Sequence, residues 1–168
     1  MAIAAAKLLT IAVGEGVKVS GLLQAPPRAR TCCVLAHGAG AGMTHPFMAA
    51  AAAGLAERGI ATLRYQFPYM ERGSKRPDPP KLAQATVRAA VAAAQAALPK
   101  LALIAGGKSF GGRMTSQAQA MAPLPAVRGL AFLGFPLHAV GRARRAFVRC
   151  ASADAVPSGH EGCSGGTR

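Results

Sequence analysis

Four short, almost unbroken apolar runs, separated by alanine-rich segments of helical length, constrain this chain more than any other feature. The runs are Thr31 to Ala36, Ile60 to Tyr65, Leu101 to Ala105 and Gly129 to Phe135. A strand that is apolar at every position has no polar face to offer water, so both of its faces must be covered. The intervening segments read as helices. Pro46 to Arg58 starts on a proline and stops at Gly59, and Lys81 to Leu98 follows a proline-rich loop. A third helix runs from Ser109 to about Ala122. Ahead of these, Val17 to Leu23 alternates like a half-buried strand after the Gly14-Glu15-Gly16 turn. Strands alternating with helices predict an α/β domain: a mostly parallel sheet with helices on both faces. A chain of 168 residues is one such unit, large enough to bury a core without staples. The regular pattern ends with the strand near Phe135, so the domain is expected to span 1–138, with 139–168 as a disordered tail.

Composition narrows the function classes. Hydrophobic residues are 51% and charged residues 15% of the chain, which excludes a disordered, solvating polymer. The net charge of +14 admits an acidic partner. The cations are scattered singly, however, apart from Arg142, Arg144, Arg145 and Arg149, and aromatics are only 5%. Without basic and aromatic residues interleaved there is no stacking platform, and no specific nucleic-acid partner is expected. No apolar run is long enough to cross a bilayer. The stretch MAIAAAKLLTIAV carries its lysine mid-run, unlike a secretory signal, so a cytoplasmic protein with no membrane partner is expected. Cys32, Cys33, Cys150 and Cys163 have neither metal spacing nor a disulfide framework. Cys32 and Cys33 read as buried thiols, and neither metal nor cofactor is expected.

The chemistry concentrates in Gly107-Lys108-Ser109-Phe110-Gly111, a G-x-S-x-G sequence between a buried strand and a helix. Gly107 and Gly111 allow a turn sharp enough to lift Ser109 above the strand ends as a nucleophile. The new helix aims its unpaired amides at the same place. The Phe110 amide is then one oxyanion donor. The second is expected from the loop His37-Gly38-Ala39-Gly40-Ala41-Gly42, directly after the strand Thr31 to Ala36, with the Ala39 amide as donor. Gly38 and Gly40 keep that loop slim, and His37 reads as a loop-holding residue rather than a base. Two other readings compete. A P-loop needs a glycine five positions before Gly107-Lys108-Ser109, where Ala102 stands, so the phosphate cradle is missing. A serine that merely caps the helix is the second alternative.

With these residues assembled, the chain resembles the α/β-hydrolases. More narrowly it resembles the small hydrolase-like family of testis-expressed protein 30 and subunit three of the non-specific-lethal acetyltransferase complex. The matching stretches are LAHGAGAGMTHPFM, LRYQFPYMERG, GGKSFGGRM and GLAFLGFPLH, which cover nearly everything from about residue 15 to 138. The resemblance implies an α/β-hydrolase-type sheet, Ser109 as nucleophile and a small-molecule acyl substrate such as an ester or thioester. Because the acetyltransferase-complex relatives serve as interaction modules, it also implies an alternative: a non-catalytic protein-interaction domain.

The departure lies at the end. Relatives continue after G-F-P-L-H with a strand of the type L-P-M-L-F-L-Q-G-T-[RK]-D that supplies the catalytic acid, and a later loop supplies the histidine. Neither segment occurs here. Asp154 and His160 stand in the expected order but follow no strand, and His138 and His45 are fallback bases of similarly poor standing. Read displaced by one nucleotide, the codons of Ser152 to Gly166 can spell L-P-M-L-F-L-Q-G-T-K-D-A-L-A. The expectation is therefore a one-base frame change near Ala139 to Arg144, a fold truncated after the Phe135 strand, and an impaired triad. The strand Gly129 to Phe135 would then be an uncovered apolar edge prone to self-association.

Overall fold

The computed structural model describes residues 5–14 and 16–135. Its elements follow in the order β1 (Lys7–Gly14), β2 (Val17–Gln24), β3 (Thr31–Ala36), α1 (Pro46–Glu57), β4 (Ile60–Tyr65), α2 (Pro68–Glu71), α3 (Pro80–Ala97), β5 (Ala102–Lys108), α4 (Phe110–Met121) and β6 (Val127–Leu133). The six strands form one sheet in the order β1-β2-β4-β3-β5-β6. β1 and β2 are antiparallel to their neighbours, and β4, β3, β5 and β6 run parallel. The expected α/β class is met, with an antiparallel hairpin added at one side.

That hairpin corrects the sequence reading, which placed no strand before Val17. Lys7–Gly14 pairs with Val17–Gln24 from Lys7 opposite Leu23 to Gly14 opposite Val17. Leu9, Ile11 and Val13 face the core while Leu8 stays exposed. The period of two was present, but the alanines before it hid where it began.

The faces of the sheet divide as the pleat dictates. Cys32, Val34 and Ala36 of β3 point to the side covered by α3 and α4, with Leu63 and Tyr65 of β4. Cys33 and Leu35 point the other way, under Met48 of α1. α3 lays Ala83, Thr86, Val87, Ala90, Val91 and Ala94 against the sheet, one stripe at helical spacing. Its alanines leave no bulk to hold the helix off, so it packs close. α1 starts on Pro46 and ends before Gly59, whose φ of 71° favours glycine. Both cysteines are buried and unbridged, and burial foremost, then its neighbour Cys33, pushes the Cys32 thiol up to about 12. A thiol held that far from ionisation is packing, not a nucleophile.

Register decides where chemistry can sit. Ala36 lies opposite Tyr65 on one side and Gly107 on the other, so β3, β4 and β5 reach their carboxyl ends together. The loops leaving them converge on one rim, the usual place for ligands in such sheets. Leu63 is fully buried in the middle of this arrangement. Replacing it with alanine is expected to cost about 2–5 kcal/mol of folding free energy, measured as a lowered urea midpoint at unchanged slope.

Candidate active site

β5 ends at Lys108 and α4 begins at Phe110, so Ser109 alone makes the turn between them. It does so at φ 48° and ψ −108°, left-handed backbone for a residue with a side chain. Such a conformation costs of order 1–3 kcal/mol and persists only where the surroundings enforce it. The Ser109 amide donates to the Leu133 carbonyl at 3.3 Å, and the Ser109 carbonyl accepts from the Arg113 amide at 3.0 Å. The side chain makes no capping hydrogen bond to α4, so a serine placed merely to cap the helix does not describe it. It is half-buried on the rim.

The flanking glycines are required by contact. A Cβ on Gly107 would lie 2.3 Å from the Ala36 carbonyl oxygen. One on Gly111 would lie 2.5 Å from the His37 carbonyl oxygen and 2.6 Å from the Ala36 Cβ. Bare backbone at these positions lets the turn press directly on the end of β3. The same closeness brings the two expected segments together, since a Cβ on Gly38 would sit 3.9 Å from the Ser109 Cβ. Ala39 and Gly40 are exposed beyond it, and the Ala39 amide donates no hydrogen bond among the described residues. The Phe110 amide is the first of the helix and has no acceptor within it.

The glycine loop is held from behind. His37 is fully buried; its Nε2 accepts from the Phe67 amide at 3.1 Å, which leaves the proton on Nδ1, donated to the Gly38 carbonyl at 2.8 Å. Burial lowers its pKa, with Gly38 and Asp78 pulling weakly the other way, so the ring is held neutral. The far end of the loop is tied at Met43. Its amide donates to Gln66 Oε1 at 2.8 Å, and its carbonyl accepts from Arg64 Nη1 at 3.2 Å. Phe67, Tyr69 and Phe110 surround the His37 side of this assembly as an aromatic cluster, with ring centroids 5.0–6.3 Å apart.

The structure thus brings Ser109, Gly107 and Gly111 against His37 and Gly38, with Ala39 and Gly40 continuing the loop. His45 is exposed at the start of α1, where its Nδ1 accepts from the Phe47 amide at 3.2 Å. Asp154, His160 and His138 lie outside the described residues. Sequence reasoning missed the supporting set Arg64, Gln66, Phe67, Tyr69 and Asp78. Only the F-P-Y-M-E string signalled it: the structure folds Pro68–Glu71 into α2 where a loop was expected.

The profile of the family described as "Alpha/beta hydrolase domain" matches residues 29–158, well over half of the chain. The chain belongs to this family. No curated protein sequence matches this α/β hydrolase. Among solved structures, the dienelactone hydrolase from Anabaena variabilis is similar at 25% identity and a TM-score of 0.69, over 77% of this chain and 63% of that one. A lidless α/β serine hydrolase from Xanthomonas campestris shares the fold at 21% identity and a TM-score of 0.62, over 76% and 60%. Est1E from Butyrivibrio proteoclasticus does so at 23% and 0.60, over 73% and 48%. The chain therefore spans less than two thirds of each of these hydrolases' own length. No helix among the described residues is long and apolar enough to cross a membrane.

The neutral, buried His37 carries a pH signature. Its folded pKa lies below the usual value of about 6.5, so the unfolded chain binds its proton first. The stability it confers is complete above that value and is lost as pH falls through the window below it. Urea midpoints are expected to drop as pH falls below about 6.5, and His37→Gln should flatten that drop.

Proposed function

We propose that this α/β hydrolase is by design a serine hydrolase of esters, thioesters or related acyl bonds, and that the present chain is impaired. The Ser109 Oγ attacks the acyl carbon while its proton passes to a histidine base. The Ala39 and Phe110 amides receive the oxyanion, the alcohol or thiol leaves with the proton, and water then releases the acid from the acyl-serine. The observation that carries this reading is the left-handed, uncapped Ser109, pressed by Gly107 and Gly111 against the glycine loop. The hydrolase families of the similar structures support it. Impairment is supported by the histidines: His37 has both ring nitrogens engaged, and His45 Nδ1 caps α1. Neither is hydrogen-bonded to Ser109 among the described residues. Within the superfamily, the motif strings favour the relatives of testis-expressed protein 30 and non-specific-lethal subunit three. The two reduced, buried thiols suit a cytoplasmic setting. If catalysis is lost altogether, a protein-interaction domain is the second reading, favoured by a Ser109 side chain with no histidine partner among the described residues.

A nitrophenyl-ester assay and a fluorophosphonate probe are expected to show little or no Ser109-dependent reaction in this chain. A chain with the reading frame restored from Ala139 should hydrolyse short-chain esters and lose about a thousandfold or more on Ser109→Ala. Robust turnover by the present chain, abolished by Ser109→Ala, would overturn the impairment. A restored chain silent to the probe would overturn the hydrolase reading in favour of the interaction domain.

β6 is the last strand of the described sheet, and Phe132 on it is 36% exposed. We therefore expect self-association through this edge, seen as elution ahead of a 17.0 kDa monomer in size-exclusion chromatography. A sharp monomer peak would count against it.

A further inference from the structure

We propose that Asp78 and Tyr69 are positioning residues for the glycine loop that faces Ser109, acting through a relay that starts outside the site. This rests on the hydrolase reading above, because the relay's purpose is to aim the amides of Gly38 to Gly40.

The relay begins with a buried carboxylate. Asp78 is 5% exposed, and its side chain is fully covered although it lies in an otherwise exposed, proline-rich loop. One oxygen, Oδ2, accepts from the Tyr69 amide at 2.9 Å; the other, Oδ1, accepts from Arg72 Nη2 at 2.8 Å. A buried charge is tolerated only when its lone pairs are engaged, and here both partners belong to α2 or its end. Asp78 therefore anchors a helix of only four residues, too short to be stable by itself.

α2 in turn reaches the glycine loop at two points. At its start, the Phe67 amide donates to His37 Nε2, and His37 Nδ1 donates to the Gly38 carbonyl. Within it, Tyr69 is fully buried, its ring against both His37 and Phe110 at 6.0 and 6.3 Å between centroids. Burial foremost pushes the Tyr69 phenol's pKa up, with the Gly40 backbone pulling the other way and the Asp78 charge adding to the rise. The hydroxyl has no hydrogen-bond partner among the described residues, and a phenol buried in this way is sensitive to any shift of its neighbours. Tyr69 thus stands between the two oxyanion segments, its ring against Phe110 on one side and against His37, which holds Gly38, on the other. A salt bridge at Arg72 and Asp78 is transmitted to amides on the far side of His37.

Amide hydrogen exchange of the full-length chain, followed by peptide mass spectrometry, tests the relay in Asp78→Asn and Tyr69→Phe. Tyr69→Phe keeps the ring and removes only the hydroxyl. Exchange in residues 37–43 is expected to rise about tenfold in Asp78→Asn and less in Tyr69→Phe, with the β1–β2 peptides unchanged. The His37 ring should change from a single Nδ1-protonated tautomer to a mixture in nitrogen-15 spectra of Asp78→Asn, a signature that general loosening at residues 68–79 would not give. Faster exchange confined to residues 68–79, with His37 unaltered, would overturn the proposal. Uniform acceleration across all peptides would overturn it as well, by showing Asp78 to serve global stability alone. The exchange pattern decides the relay whether or not Ser109 reacts. The fluorophosphonate reaction of the restored-frame chain decides the nucleophile, so the two readings fail separately.

Discussion

The close approach of the β5–α4 turn to the carboxyl end of β3 is the contact on which the rest of the molecule is built. Two backbones meet there at distances that no side chain could share: a Cβ on Gly107 or Gly111 would fall within 2.6 Å of Ala36 or His37 atoms. Neighbouring positions are equally tight, since a Cβ on Gly106 would run into the Ala131 carbonyl of β6 and one on Gly112 would meet the Gly107 carbonyl. Packing of this density is rigid. It holds Ser109 in a backbone conformation that the residue would not choose, and it sets the serine beside Gly38 without any side-chain bridge between them. The strain is small against the burial of the surrounding core, so the fold can sustain it.

The histidine behind this contact is held without charge. His37 is neutral because it is buried and because its Nε2 accepts from the Phe67 amide, which outweighs the opposite pull of the Gly38 carbonyl on Nδ1. The charged members of the neighbourhood have partners of their own. Asp78 pairs with Arg72, Arg64 bonds the Met43 carbonyl, and Lys108 Nζ rests 4.1 Å from the Phe47 ring centroid on the surface. Among the described residues the Ala39 amide donates no hydrogen bond, as the proposed oxyanion role requires of a donor.

Much of this was legible beforehand, for reasons that differ by element. β3 and β5 are apolar at nearly every position, which only a strand covered on both faces tolerates, and the limits of β3, β4 and β5 were read to within a few residues. Gly107-Lys108-Ser109-Phe110-Gly111 was legible because the turn demands glycine by contact. β1 was missed because its alternation begins inside an alanine-rich stretch. α2 was missed because four residues hold no periodicity, and Pro68 and Gly73 read equally well as a loop. Asp78 was invisible because a single carboxylate among prolines has no pattern. Its burial follows from Tyr69 and Arg72 arriving beside it in three dimensions.

By itself the sequence determined what is local or periodic: which runs must be covered, where helices start on proline and stop on glycine, and which serine lies in a glycine-flanked turn. Those features depend on residues within a few positions of one another, so they are written consecutively. Tertiary structure alone decided the strand order β1-β2-β4-β3-β5-β6, the alignment of Ala36 with Gly107, and the meeting of Gly38 with Ser109. It also decided that His37 would face the Phe67 amide, which fixes its tautomer. Contacts between residues 30 to 71 positions apart are settled by how whole faces pack, and no short stretch of chain contains that information.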